Sequence, residues 1–123
     1  MSTLSTPPDW LQSPKEGQLS LDVFREKGEL VIRSLVAGVK PEDLDVSLHG
    51  DLLTIRGSRC HPQEISDDDW YYRECYWGGF SRSVVLPYEI AADAITATLK
   101  NGILEVRLPI REHGKKVKVK WKE

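Results

Sequence analysis

Along most of the chain apolar and polar residues alternate with a period of two, the pattern of strands with one buried face. Leu19, Leu21 and Val23 alternate with Ser20 and Asp22, and Leu30, Ile32 and Val36 share one parity of the next run. Leu44, Val46 and Leu48 alternate with Asp45 and Ser47. Leu53 and Ile55 follow the turn-like His49-Gly50-Asp51, and Phe80, Arg82, Val84 and Leu86 form a run that Pro87 closes. No segment sustains a helical period, and residues 89–94 have room for one turn at most.

The sharpest local signal is Asn101-Gly102. Asn-Gly favours the type I′ turn, because both central residues must take positive φ. A two-residue loop there sets Lys100 opposite Ile103, Leu99 opposite Leu104, Ala97 opposite Val106 and Ile95 opposite Leu108. The last three pairs are apolar and share one face, while Thr98–Glu105 and Thr96–Arg107 share the other. Register and hydrophobic pattern agree independently, which predicts a hairpin. About eight short strands with closely spaced turn signals imply an antiparallel β-sandwich.

Two stretches break the alternation. Residues 1–18 hold Pro7, Pro8 and Pro14 with scattered apolar groups, and read as a flexible N-terminal arm. Between Arg56 and Phe80 runs a connection with an acidic centre, Asp67-Asp68-Asp69, followed by Trp70, Tyr71, Tyr72, Tyr76 and Trp77. Long loops are usually functional or disordered, and so many aromatics argue against simple disorder. The run either packs on its own sandwich or docks on a partner.

Composition narrows the function classes. Of 123 residues, 40% are hydrophobic and 29% charged, enough apolar material for one packed domain. A net charge of −2 lacks the basic excess of a nucleic-acid binder. Charge is uneven: residues 111–123 carry six basic against two acidic groups, and residues 58–76 two basic against five acidic. No apolar run approaches the ~20 residues of a membrane span. Residues 1–13 lack the plan of a signal peptide, so a cytoplasmic location is expected, where thiols stay reduced. Cys60 and Cys75, with His61, lack the paired short spacings of a zinc site and read as free thiols, with no metal and no cofactor. His49, His61 and His113 are scattered, no glycine loop suits a phosphate, and the Asp67–Asp69 carboxylates stand on a loop; no enzyme is expected.

Together, three stretches resemble the α-crystallin domain of the small heat-shock proteins, in the bacterial and plant type. They are Gly38-Val39-Lys40-Pro41-Glu42-Asp43-Leu44 leading to Leu53-Thr54-Ile55-Arg56-Gly57, then Gly78-Gly79-Phe80-Ser81-Arg82-Ser83 running to Leu86-Pro87, and Ala97-x-x-x-Asn101-Gly102-Ile103-Leu104. Their order and spacing fit from about Leu19 to Leu108. The resemblance implies an immunoglobulin-like sandwich over residues 19–110 and a C-terminal extension over 111–123. It also implies a dimer in which a strand of the long loop, about residues 71–76, crosses to the partner's sheet. On that reading Tyr71, Tyr72, Arg73, Glu74, Tyr76, Trp77 and Arg82 form the dimer interface. For Arg82 an inter-subunit salt bridge competes with a snorkelling position at the sandwich rim.

The family's tail motif, isoleucine-x-isoleucine, is resembled by Val117-x-Val119. Its expected seat is an apolar groove between Leu44, Val46 and Leu48 on one edge and Ile95, Ala97 and Leu99 on the other; a frayed basic tail is the alternative. The chain departs from the family at Ala37, usually proline, at Leu35, commonly acidic, and at Cys75, where arginine is common beside a matching Glu74. The arm is short for the family, with Leu4, Trp10 and Leu11 as its sizeable apolar groups. The activity implied is ATP-independent chaperoning: holding partly unfolded proteins under stress without catalysis, membrane insertion or nucleic acid. The competing class is a CS-type co-chaperone, a similar sandwich that works as a monomer on one folded partner.

Overall fold

The computed structural model describes residues 17–111 and 117–122. Residues 1–16 of the expected arm, and 112–116 and 123 of the extension, lie outside the described residues. Eight strands are present among those described: β1 (Gly17–Gln18), β2 (Leu21–Glu26), β3 (Glu29–Leu35), β4 (Leu44–His49), β5 (Leu52–Arg59), β6 (Gly78–Val85), β7 (Thr96–Lys100) and β8 (Ile103–Pro109). They form two four-stranded sheets, β1-β6-β5-β4 and β2-β3-β8-β7. Every pairing is antiparallel except β1 with β6, where Gly17 and Gln18 run parallel to Phe80 and Ser81. The end of the expected arm therefore belongs to the sandwich.

The inward parities predicted from the sequence face one another. Leu30, Ile32, Leu53, Ile55, Leu104, Val106 and Leu108 are all at most 3% exposed, and Val36, Val39, Phe80, Leu86 and Ile90 extend the same core. The β7–β8 hairpin has the expected register, with Asn101 at φ 54° and Gly102 at φ 75°. Its ladder ends at Thr96–Arg107, so the Ile95–Leu108 pair is not part of it. Ile95 instead follows a 3₁₀ turn at Ala92–Ala94, the single turn expected in that region. A second two-residue turn of the same sense joins β2 to β3, with Lys27 at φ 48° and Gly28 at φ 78°.

Two residues depart from the alternating pattern. Ser34 faces inward and is 3% exposed; its hydroxyl donates to the Ser20 carbonyl at 2.9 Å, which satisfies the buried oxygen. Val31 faces outward on β3 and yet is fully buried. Its row neighbours are Phe24 and Arg107. Around it, Arg107 bonds Glu105 at 2.6 Å and Glu29 at 3.3 Å, Arg33 bonds Glu105 at 2.9 Å, and the Arg33 guanidinium lies 4.9 Å over the Phe24 ring. The aliphatic stems of paired arginines cover apolar surface while their heads stay wet. Arg107 first, then Arg33, holds the Glu105 carboxyl below its ordinary range by hydrogen bonding.

Candidate functional site

Leu19 and Ser20 link β1 directly to β2, so those two edges lie on one side of the sandwich. The opposite side is therefore bounded by β4 and β7, each the last strand of its sheet. Along β4 the inward residues Leu44, Val46 and Leu48 are half-buried against the core, as are Ile95 and Leu99 on the β7 side. Ala97 shares their parity and is exposed. Five of the six residues expected to line a groove thus stand on the two edge strands, and Ile95 directly precedes β7. Such edges offer unpaired backbone donors and acceptors beside apolar side chains. Where Leu48 ends the β4 side, an open depression of about 600 Å³ adjoins it, with Leu86, Pro87, Ile90, Asp51 and Glu89 among its lining.

The tail does not occupy this edge in the single chain. Val117, Val119 and Trp121 are 78%, 89% and 91% exposed. The described tail residues belong to no strand.

The long loop divides its aromatics in two. At its base, His61 stands edge-on to both indoles, with ring centroids 5.7 Å from Trp70 and 4.7 Å from Trp77. Arg73 lies 4.7 Å over the Trp70 ring and 3.9 Å from the Asp67 carboxylate. The Tyr76 hydroxyl donates to the Gly79 carbonyl, close to Gly78, whose φ is +136°. At the tip, Tyr71 and Tyr72 are 86% and 69% exposed. Glu74 and Cys75 are exposed as well. Residues 71–76 form no strand, since an isolated extended segment has no neighbour for its backbone groups.

Arg82 lies on the inward parity of β6, opposite Ile55. Its Nη1 donates to the Leu19 carbonyl at 3.0 Å, so within the chain it ties the β1–β2 link to β6. The charge on an apolar row is thereby led to a backbone oxygen at the rim. The role of His61 as the hub of the loop was not read from the sequence; its place six residues before the acidic lead-in of a Trp- and Tyr-rich segment was the available signal. Cys60 and Cys75 are both free and exposed. Among the described residues no helix is long and apolar enough to cross a membrane.

A sequence model of the Hsp20/alpha crystallin family matches residues 22–121. The chain is 38% identical over 85 residues to small heat shock protein C2 of Rickettsia felis, which covers 69% of this chain and 55% of the relative. It is 34% identical over 113 residues to the 17.6 kDa class I heat shock protein of Helianthus annuus, covering 91% of this chain and 65% of the relative. The chain thus spans less than two thirds of the length of these curated relatives. Among solved structures, heat shock protein 16.0 of Schizosaccharomyces pombe superposes with a TM-score of 0.69 at 31% identity, over 84% of this chain and 98% of that one. The hspA protein of Xanthomonas axonopodis gives 0.69 at 30% identity, over 77% and 95%.

Proposed function

The chain belongs to the Hsp20/alpha crystallin family, and from that premise we propose that it is an ATP-independent holding chaperone of the cytoplasm. The observation that carries this reading is the pair of free edges, β4 and β7, with half-buried Leu44, Val46, Leu48, Ile95 and Leu99 between them. An extended, partly unfolded segment adds to such an edge through its backbone and seats alternate apolar side chains in the slot. Holding is a binding equilibrium, so it draws on no nucleotide and no catalytic group. Each valine-sized side chain that leaves water contributes up to ~1.5–3 kcal/mol, enough for reversible capture by a few contacts.

The same slot receives the Val117-x-Val119 tail of another subunit in resting assemblies, so that tail and client compete. The working unit is a dimer made by loop exchange. The exposed Tyr71 and Tyr72 favour this reading over a CS-type monomer, because crossing to a partner would bury both rings and the two-fold axis would repeat the contact in the second copy. In the crossed state Arg73, Glu74, Tyr76, Trp77 and Arg82 border the contact, and their charges fix register more than they add stability.

The test is light scattering of a heat-destabilised client, without nucleotide, in the presence and absence of the purified protein. Suppression at near-stoichiometric ratios across several unrelated clients is expected. No suppression with any of them defeats the proposal.

A further inference from the structure

The tail carries one more apolar residue than its motif needs. Val117, Val119 and Trp121 share a parity, and Lys118, Lys120 and Lys122 take the other. In extended backbone this places three apolar groups on one side and three ammonium groups on the other, with the outer two apolar groups ~13 Å apart. Leu44 and Leu48 on β4 are also four positions apart, hence the same distance. The slot therefore accommodates three successive anchors, and it ends at the depression of about 600 Å³ beside Leu48.

We propose that Trp121 of a second copy of this chain is a third anchor, seated in that depression, so that the tail is read as Val-x-Val-x-Trp. This rests on the tail-docking reading above and deepens it. Leu48, Leu86, Pro87 and Ile90 offer apolar contact to an indole, and an indole also carries a donor N–H. Asp51 and Glu89 supply carboxylates on the same lining, opposite in sign to Lys120 and Lys122, whose long stems leave the other side of the extended tail and can bend back only to the rim of the depression. A neutral polar tail would lack that complementarity.

Chain direction favours a neighbour's tail over the subunit's own. β8 leaves the sandwich beside the depression, where Ile90 bridges Ile110 and the Arg111 N–H donates to the Glu89 carbonyl at 2.8 Å. A tail that laid itself directly onto its own slot would start at the depression and carry Trp121 away from it. A tail from another copy enters at the Leu44 end, runs parallel to β4 and finishes at the depression. The subunit's own Trp121 is 91% exposed, as an anchor awaiting a partner would be.

The experiment compares the full-length protein with V117G/V119G and with W121A by light scattering across a dilution series, with 5-fluorotryptophan labelling to follow position 121. The proposal expects W121A to raise the concentration needed for assembly at least about tenfold, ~1.4 kcal/mol. It also expects the fluorine signal at 121 to move from a shielded to a solvent-exposed position on dilution. If V117G/V119G disperses the assembly while W121A behaves as wild type, the third anchor is wrong and tail docking stands. If neither variant changes assembly, both readings fall. If the signal at 121 is shielded at every concentration, the tail lies on its own subunit and the second-copy anchor is overturned.

Discussion

Phe80 and Gly57 face one another across β6 and β5, and the phenyl ring takes up the volume that a side chain at 57 would need. A Cβ at 57 would overlap Phe80 Cζ and would come within 2.9 Å of Leu44 Cδ2. Leu44, Gly57 and Phe80 form one inward row across β4, β5 and β6. The row connects the hydrophobic core to the edge proposed to capture clients, because Leu44 is its outermost member.

Gly57→Ala is therefore expected to destabilise the fold by about 1–3 kcal/mol, the usual cost of overpacking. Urea unfolding followed by far-ultraviolet circular dichroism measures it as a lowered midpoint at unchanged slope. Because the added methyl also presses on Leu44, client capture should fall at temperatures where the variant is still folded. A midpoint equal to wild type would mean that Phe80 swings aside without loss.

The ion lattice over Val31 has a pH signature. The folded-state pKa of Glu105 is lowered, by Arg107 first and Arg33 second. A lowered carboxylate pKa contributes stability that is present above the unfolded value and is lost as pH falls through the folded one. Thermal unfolding between about pH 3 and pH 6 should show wild type more stable than Glu105→Gln at the upper end. The difference should close below the ordinary carboxylate range. A constant gap across that range would assign the effect to packing alone.

The two exposed tyrosines predict how the proposed dimer fails. Deleting residues 67–77 and closing the gap with a short Gly-Ser linker should yield a monomer whose sandwich still folds, since that segment contributes no strand to either sheet. Size-exclusion chromatography with light scattering at micromolar concentration reads the result. A dimer that survives the deletion would place the subunit contact elsewhere.

The sandwich was legible because antiparallel sheets with one wet face write their fold as alternation, and an Asn-Gly turn fixes register locally. The whole β7–β8 ladder from Lys100–Ile103 to Thr96–Arg107 follows from that dipeptide. β1 was not legible: two residues pairing in parallel with a strand far along the chain leave no local signal. The burial of Val31 left no signal in the alternation, because its cross-strand neighbour on that face is Arg107, a residue that pattern reading assigns to water. The inward parity of Leu44, Val46 and Leu48 could be read in advance, since edge strands still keep an inward face. The loop could not be resolved beforehand, because an aromatic run states how much area needs cover and not which surface provides it. His61 answers that for Trp70 and Trp77, while Tyr71 and Tyr72 are exposed.

The pairing of β3 with β8 sets the order in which this protein can be made. These two strands form the middle of their sheet and come from opposite ends of the domain. While the ribosome is still at work, β3 has β2 on one side and no partner on the other, and Leu30 and Ile32 lack their neighbours Leu108 and Val106. The sheet closes only after β8 has emerged, and long-range closure of this kind is slow and exposed to aggregation. A nascent chain of this protein is thus, for a time, the same kind of object that its finished form is proposed to hold.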